Sequence, residues 1–92
     1  MGHESNTEKL VLRIVNALVD DTKKVQIRSL KTGGGMMFEV TVASTDVGKI
    51  IGKQGRNARA IRELLFALGS TGKMRYELNV LPVRTSDDVS LM

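Results

Sequence analysis

The chain contains no cysteine and no tryptophan, and it has a single histidine and a single proline. Without cysteine it can form neither disulfides nor thiolate metal sites, and thiol catalysis is excluded as well. No apolar run approaches the roughly 18 residues that a membrane span requires, and the N-terminus lacks the apolar core of a secretory signal. We therefore predict a cytoplasmic protein without membrane association.

The length of 92 residues, with 41% apolar and 26% charged residues, is typical of one small domain. Its formal net charge of +4 is concentrated in one place. Residues 46–62 carry five basic residues and one acidic residue, whereas the rest of the chain is close to neutral. This distribution indicates an anionic partner for that segment.

Apolar periodicity is the main structural signal in the first half of the chain. Ser5 and Glu8 have capping-box spacing ahead of an amphipathic helix that continues to about Asp20. Two stretches of alternating apolar residues follow, and a glycine-rich turn between them predicts an antiparallel hairpin. The strands cover 25–31 and 37–42, and the turn covers 32–35.

The second half predicts two helices and one strand. Val47 to Ile51 form a short helix after three residues of N-cap type, and Gly52 ends it. Beyond Gly55, apolar residues at helical spacing predict a longer helix that stops before Gly69. A loop over 69–73 and a strand over 76–81 complete the chain's elements.

The element order is therefore α-β-β-α-α-β, which predicts an α+β fold with two layers. We expect a three-stranded mixed sheet that is covered by helices on one face. The predicted organisation is a flexible N-terminus over 1–6, one domain over 7–82 and a polar C-terminal tail over 83–92.

The segment Gly52-Lys53-Gln54-Gly55 joins the two predicted helices of the second half. The helix that begins near Arg56 directs unpaired N–H groups and the positive end of its dipole into this loop. Lys53 and Arg56 oppose that dipole, at a cost of about 0.3–1 kcal/mol each, unless an anion is bound. Phosphate is the natural ligand for such a loop, and Arg59 and Arg62 extend the positive stripe along the helix.

Structural roles are also open to several of these residues. Lys49 lies near the end of a short helix, where a positive charge is favourable to the helix itself. Arg59 and Glu63 have the spacing of an ordinary surface ion pair. One of Ile50 and Ile51 can line a cleft, although burial against the sheet is the commoner arrangement for either residue.

The run "DVGKIIGKQGRNARAIRELL", residues 46–65, resembles the GXXG signature of the KH domain, and the helix-first order resembles the type II arrangement. The chain is similar over about residues 8–81 to the small bacterial single-KH RNA-binding proteins of the KhpA family. The resemblance implies a non-catalytic protein, an RNA chaperone or post-transcriptional regulator, that holds about four nucleotides of single-stranded RNA. It also implies a homodimer, or a heterodimer with a larger KH-containing protein.

Carried onto this chain, the resemblance makes the Gly52–Gly55 loop a clamp on the RNA backbone. The groove beside it would be lined by Ile50, Ile51, Arg56 and Ala60, with residues 76–80 opposite. Lys49 and Arg59 join the predicted site because of their charge. The predicted RNA-binding residues are Lys49, Ile50, Ile51, Gly52, Lys53, Gln54, Gly55, Arg56, Arg59 and Ala60.

The sequence also bears on two other functions. A nucleotide hydrolase is disfavoured because Gly48 to Lys53 is one residue short of a P-loop, and Gln54 stands where Ser or Thr would bind Mg²⁺. We predict no metal, cofactor or small-molecule substrate. An assembly or ribosome-associated subunit, which contacts mainly protein or ribosomal RNA, remains an alternative. With three aromatic residues, the chain lacks the aromatic series on which other RNA-binding modules stack bases.

Overall fold

A computed structural model describes residues 3–83 of the chain, with side chains from residue 6 onward. Within this range the elements follow the order α-β-β-α-α-β, which confirms the predicted α+β fold. They are α1 (His3–Leu18), β1 (Gln26–Lys31), β2 (Gly35–Val42), α2 (Val47–Ile51), α3 (Arg56–Gly72) and β3 (Arg75–Pro82). The predicted tail lies, apart from Val83, outside the described residues.

The described strands form one mixed sheet in the order β1-β2-β3. β1 pairs antiparallel with β2 across the glycine turn, and β2 pairs parallel with β3. β2 is therefore central, and one edge of β3 is unpaired within the described part of the chain. The parallel pairing brings the end of β3 beside the end of β2, where the N–H of Val83 donates to the carbonyl of Val42 at 2.7 Å.

The core lies between the helices and one face of the sheet. Along β2 the residues alternate between buried and half-buried, which is the period-2 pattern expected of a strand with one covered face. The helices contribute apolar residues at i, i+4 spacing in α1 and at i, i+3 and i+7 in α3. The main contributors are Val11, Val15, Val19, Phe38, Val40, Ala58, Ile61 and Leu65.

α3 is longer than the sequence pattern predicts, and the predicted loop over 69–73 is wrong. The helix continues through Gly69 to Gly72 and ends at Lys73, whose φ of 57° is left-handed. Gly69 is buried, and a Cβ at this position would lie 2.2 Å from the carbonyl oxygen of Met74. The glycine therefore allows the start of β3 to pack closely against the helix, rather than ending it.

α1 also begins earlier than predicted. It starts at His3, so residues 3–6 belong to the helix, and Ser5 lies within it instead of capping it. Because a capping box places the Ser before the first helical residue, the Ser5 and Glu8 spacing identified the presence of the helix but not its start.

Candidate functional site

α2 and the Gly52–Gly55 loop form the joint between the sheet and α3. Ile50 is fully buried in the core and fixes α2 against the sheet, whereas Ile51 is half-buried. The N–H of Gly52 donates to the carbonyl of Gly48 at 2.8 Å, which closes the helix. Of the two isoleucines predicted to line the groove, only Ile51 keeps surface that a ligand can reach.

Gly52 occupies a position that only glycine fits. Its φ is 79°, and a Cβ there would lie 2.6 Å from Cγ and 2.8 Å from the backbone nitrogen of Asn57. An L side chain would face both an unfavourable backbone conformation and a steric clash with the first turn of α3. This glycine therefore lets the loop fold back against α3.

The rest of the loop is one tight turn with two consecutive left-handed residues. Gln54 has φ 58° and ψ 25°, Gly55 has φ 75° and ψ 15°, and the N–H of Gly55 donates to the carbonyl of Gly52 at 3.0 Å. Left-handed backbone is unusual for a residue other than glycine and is found disproportionately at functional sites. Lys53 and Gln54 present exposed side chains at the tip of this turn.

Asn57 connects α3 back to α2. Its side-chain amide donates to the backbone carbonyl of Lys49 at 2.9 Å. That carbonyl lies in the last turn of α2, where helical partners are lacking, so the bond satisfies an acceptor and joins the two helices across the loop. This role is not visible in the sequence, because nothing in the spacing of Asn57 from Lys49 indicates a contact.

Asp46 anchors the start of α2 from the other side. Its side chain is only 1% exposed, and its carboxylate accepts the N–H groups of Asp20 at 3.2 Å and Asp21 at 3.0 Å. The ammonium of Lys49 donates to the same carboxylate at 2.9 Å. Asp46 therefore accepts hydrogen bonds from the turn after α1. Its position before α2 suggests an N-cap, but its side chain forms no capping hydrogen bond with that helix. The backbone N–H of Asp21, followed by the Lys49 ammonium, lowers the pKa of Asp46 below its usual value.

Lys49 is held in place by two carboxylates. Its ammonium lies 2.9 Å from Asp20 and 2.9 Å from Asp46. The hydrogen bonds to these two partners raise the pKa of Lys49 above its ordinary value, and the bond to Asp20 has the larger effect. The positive charge of Lys49, which was predicted to contact RNA, is thus already neutralised by two carboxylates. The contacts that Lys49 makes in this structure hold the fold together.

The basic residues after Gly52 are in a different situation. Lys53, Arg56, Arg59 and Arg62 are all exposed, and none of them forms an ion pair within the described residues. Arg56 donates to the side-chain oxygen of Gln54 at 3.4 Å, and Arg62 donates to the carbonyl of Leu78 at 3.4 Å. The surface ion pair that the spacing of Arg59 and Glu63 allows, an alternative to a binding role for Arg59, is not formed.

Two adjoining clefts run from the loop along α3 towards β3. The loop cleft, about 550 Å³, is lined by Gln54, Gly55, Arg59, Arg62, Glu63 and Phe66. The strand cleft, about 580 Å³, lies between α3 and β3 and shares Arg62 and Phe66 with the first. Arg56 and Ala60 are exposed on α3 but line neither cleft. Arg62 and Phe66 were not among the residues predicted to line the groove, although their spacing from Arg59 places all three on one side of a helix.

The part of the chain that the structure describes also bears on two other kinds of site. No group of three or more histidine, cysteine or acidic side chains is placed to hold a metal ion there. None of the described helices is long and apolar enough to cross a membrane.

The helix-first order, the mixed sheet and the glycine loop between α2 and α3 define the class of protein as a KH-domain protein. A family model for the KH domain of KhpA and KhpB matches residues 8–80, so the chain belongs to the KhpA/KhpB KH-domain family.

Curated bacterial relatives carry the name RNA-binding protein KhpA. The protein of Listeria monocytogenes is 39% identical over 74 residues, which cover 80% of this chain and 97% of the relative. That of Treponema pallidum is 42% identical over 74 residues, covering 80% and 92%. That of Chlamydia trachomatis is 38% identical over 71 residues, covering 77% and 91%.

Proposed function

We propose that this chain binds single-stranded RNA, with the Gly52–Gly55 loop clamping the backbone of about four nucleotides. The observation that carries the proposal is the pair of left-handed residues, Gln54 and Gly55, directly before the 17-residue helix α3. A turn of this kind forms a concave backbone surface that suits an anion, and the helix dipole adds positive potential at the same point.

The charges around the loop support a phosphate ligand. Lys53 and Arg56 lie at the positive end of α3, where they destabilise the free helix, and neither has an acidic partner within the described residues. A phosphate group supplies the missing negative charge to both. Because an extended single strand carries a phosphate on every nucleotide, Arg59 and Arg62 provide further contacts along α3.

The names of the relatives support RNA as the nucleic acid. A role as a non-catalytic RNA chaperone or post-transcriptional regulator in the cytoplasm fits this site, because binding a backbone requires no reacting group, metal or cofactor. Ile51 at the loop and the edge of β3 give the bases apolar and main-chain contacts beside the clamp.

The test is to replace Lys53 and Gln54 together by Asp. We expect the double variant to fold as the parent does, because both side chains are exposed, and to lose RNA binding by repulsion. The matched control replaces Lys31 and Thr32 by Asp, which changes the net charge equally at an exposed site on the β1–β2 hairpin. Binding is measured by anisotropy of a labelled oligonucleotide. Equal loss in both double variants, or none in either, contradicts a clamp at the loop.

A second function, in assembly, is favoured by one face of α3. Leu64 and Leu68 are 40% and 36% exposed, and Ala60 and Ala67 are exposed beside them. The spacing of residues 60, 64 and 68 places this apolar stripe along one line of the helix. A second copy of the chain, bound through the same stripe by two-fold symmetry, would cover it.

Sedimentation of the parent and of Leu64→Glu tests this assembly. We expect a dimer that the substitution converts to a monomer, whereas Ser70→Glu, an exposed residue of α3 outside the stripe, leaves the dimer intact. A parent that is monomeric at all concentrations contradicts the homodimer. In that case the apolar stripe would bind a larger KH-containing partner instead, and co-sedimentation with that partner would detect the complex.

A further inference from the structure

Phe66 differs from the other aromatic residues of this chain. The chain has three, and Phe38 and Tyr76 are buried against each other with ring centroids 5.5 Å apart. Phe66 is 75% exposed, although it lies near the middle of α3. The core therefore does not need its ring, and a large apolar side chain in this position requires another explanation.

The ring lies where the loop cleft and the strand cleft meet. Both clefts are lined by Phe66 and Arg62, and the loop cleft begins at Gln54 and Gly55. Phe66 follows Gly55 by eleven positions along the helix, which corresponds to about 16 Å along the helix axis. A strand of RNA that leaves the loop along α3 reaches this aromatic ring.

The residues between the loop and Phe66 fit a nucleic acid better than a protein surface. Arg59 and Arg62 offer guanidinium groups to the phosphates that follow the clamped ones. Glu63 lies in the same cleft, and a carboxylate there can accept hydrogen bonds from the amino groups of bases. The exposed leucines of α3, Leu64 and Leu68, line neither cleft, so Phe66 is separate from the apolar stripe.

We propose that Phe66 is a base-stacking site for the single-stranded RNA that the loop holds. The inference rests on the proposed function and adds a second type of contact to it: the loop binds phosphate, and the ring binds the face of a nucleobase. Every base has such a face, so the contact strengthens binding without demanding a particular sequence.

Substitutions at Phe66 separate stacking from simple burial and from ionic contact. Phe66→Ala lowers affinity for an oligoadenylate of about eight nucleotides by about 5- to 150-fold, the range of one base–aromatic stack. Phe66→Leu loses a similar factor, whereas Phe66→Tyr keeps the affinity of the parent. The dependence of affinity on salt stays unchanged in all three, because no charge is removed. Folding is unaffected, since the ring is exposed.

A tryptophan reporter gives a direct reading of the contact. The chain has no tryptophan, so Phe66→Trp places a single indole at the site, and its fluorescence changes when the same oligonucleotide binds. Ala17→Trp, at an exposed position of α1, is the control and does not respond.

Three results would overturn the stacking site: unchanged RNA affinity in Phe66→Ala, RNA affinity equal to that of the parent in Phe66→Leu, or no change in the fluorescence of Phe66→Trp when RNA binds. A fourth would be a molecular mass of Phe66→Ala in solution, without RNA, that differs from that of the parent. The last result would make Phe66 part of a protein interface instead. Failure of the proposed function would give a different result from failure of the stacking site. In that case the parent would bind no RNA, or the double variant with Asp at positions 53 and 54 would bind RNA as well as the parent does.

Discussion

Lys49 and Lys53 lie four residues apart on either side of Gly52, and the structure uses their charges differently. The ammonium of Lys49 is within 2.9 Å of two carboxylates, Asp20 and Asp46, whereas Lys53 has no acidic partner within the described residues. The region before the glycine is thus held to the rest of the fold, and the region after it carries positive charge without compensation. A basic cluster in a sequence can combine a structural part and a binding part, and only the partners distinguish them.

The largest effect is expected from breaking the joint between these two regions. Gly52→Ala forces a side chain into left-handed backbone and against Asn57, at a total cost of about 3 kcal/mol in the free energy of unfolding. Gly55→Ala carries the conformational cost alone, about 1–2 kcal/mol, because nothing lies within 4 Å of its Cβ position. Urea unfolding of the two variants measures the difference. Equal destabilisation would show that contact with Asn57 does not constrain the loop.

A smaller effect sharpens the comparison of the two lysines. If four phosphates are neutralised, the logarithm of the affinity for single-stranded RNA falls with the logarithm of salt concentration with a slope of about −3. Lys53→Met should reduce the magnitude of this slope by about 0.7, because one phosphate contact is lost. Lys49→Met should leave the slope unchanged and lower the urea midpoint instead, since its ammonium is bound to Asp20 and Asp46.

Titration of RNA affinity against salt for the parent and the two methionine variants makes this measurement. The substitutions are matched in size and charge, so each serves as the control for the other. A slope reduced equally by both substitutions would mean that Lys49 leaves its carboxylate partners and contacts phosphate when RNA binds.

The smallest effect is in the pH dependence of stability. The pKa of Asp46 is lowered in the folded protein, so its stabilising contribution is present above the unfolded value of about 3.9 and is lost as the pH falls through the folded value. The raised pKa of Lys49 affects stability at high pH. The stabilising contribution of Lys49 is present below about pH 10.4, the unfolded value, and is lost as the pH rises through the folded value.

Asp46→Asn tests the acid branch. We expect the difference in melting temperature between the parent and this variant to be largest at about pH 5 to 7 and to shrink as the pH falls below about 3.9. Glu39→Gln provides a comparison at a carboxylate on β2 that pairs with Arg28 at 3.6 Å. A difference for Asp46→Asn that does not change with pH would contradict its role as an ionised acceptor of the Asp20 and Asp21 N–H groups.

The sequence predicted element type well and element limits less well. Alternating and helical apolar periods are local signals, and they identified the strands, the helices and the mixed sheet that the structure confirms. The end of α3 was misplaced because Gly69 is a familiar helix terminator, whereas its actual role depends on Met74 packing against it. A contact that forms only on folding cannot be read from the helix's own residues.

The same distinction applies to the site. The geometry of Gly52 and Gly55 agrees with the loop that the sequence predicts, since both have positive φ. The sequence did not distinguish Ile50, which is in the core, from Ile51, which keeps exposed surface, and it did not connect Asp46 with Asp20 and Asp21 or Asn57 with Lys49. The carboxylate of Asp46 reaches partners 25 and 26 residues away in the chain, so no spacing rule predicts the bond.

The amino-acid sequence by itself determined the class of fold, the family and the position of a positively charged glycine loop ahead of a helix, because each depends on local pattern or on similarity along the chain. Only the tertiary structure decided which charges are free. Asp20 is brought to Lys49 and Asp46 by the packing of the turn after α1 beside α2, whereas Lys53, Arg59 and Arg62 are exposed and have no acidic partner within the described residues. Whether a charge is neutralised depends on distances of a few ångströms between residues far apart in sequence, and the fold sets those distances.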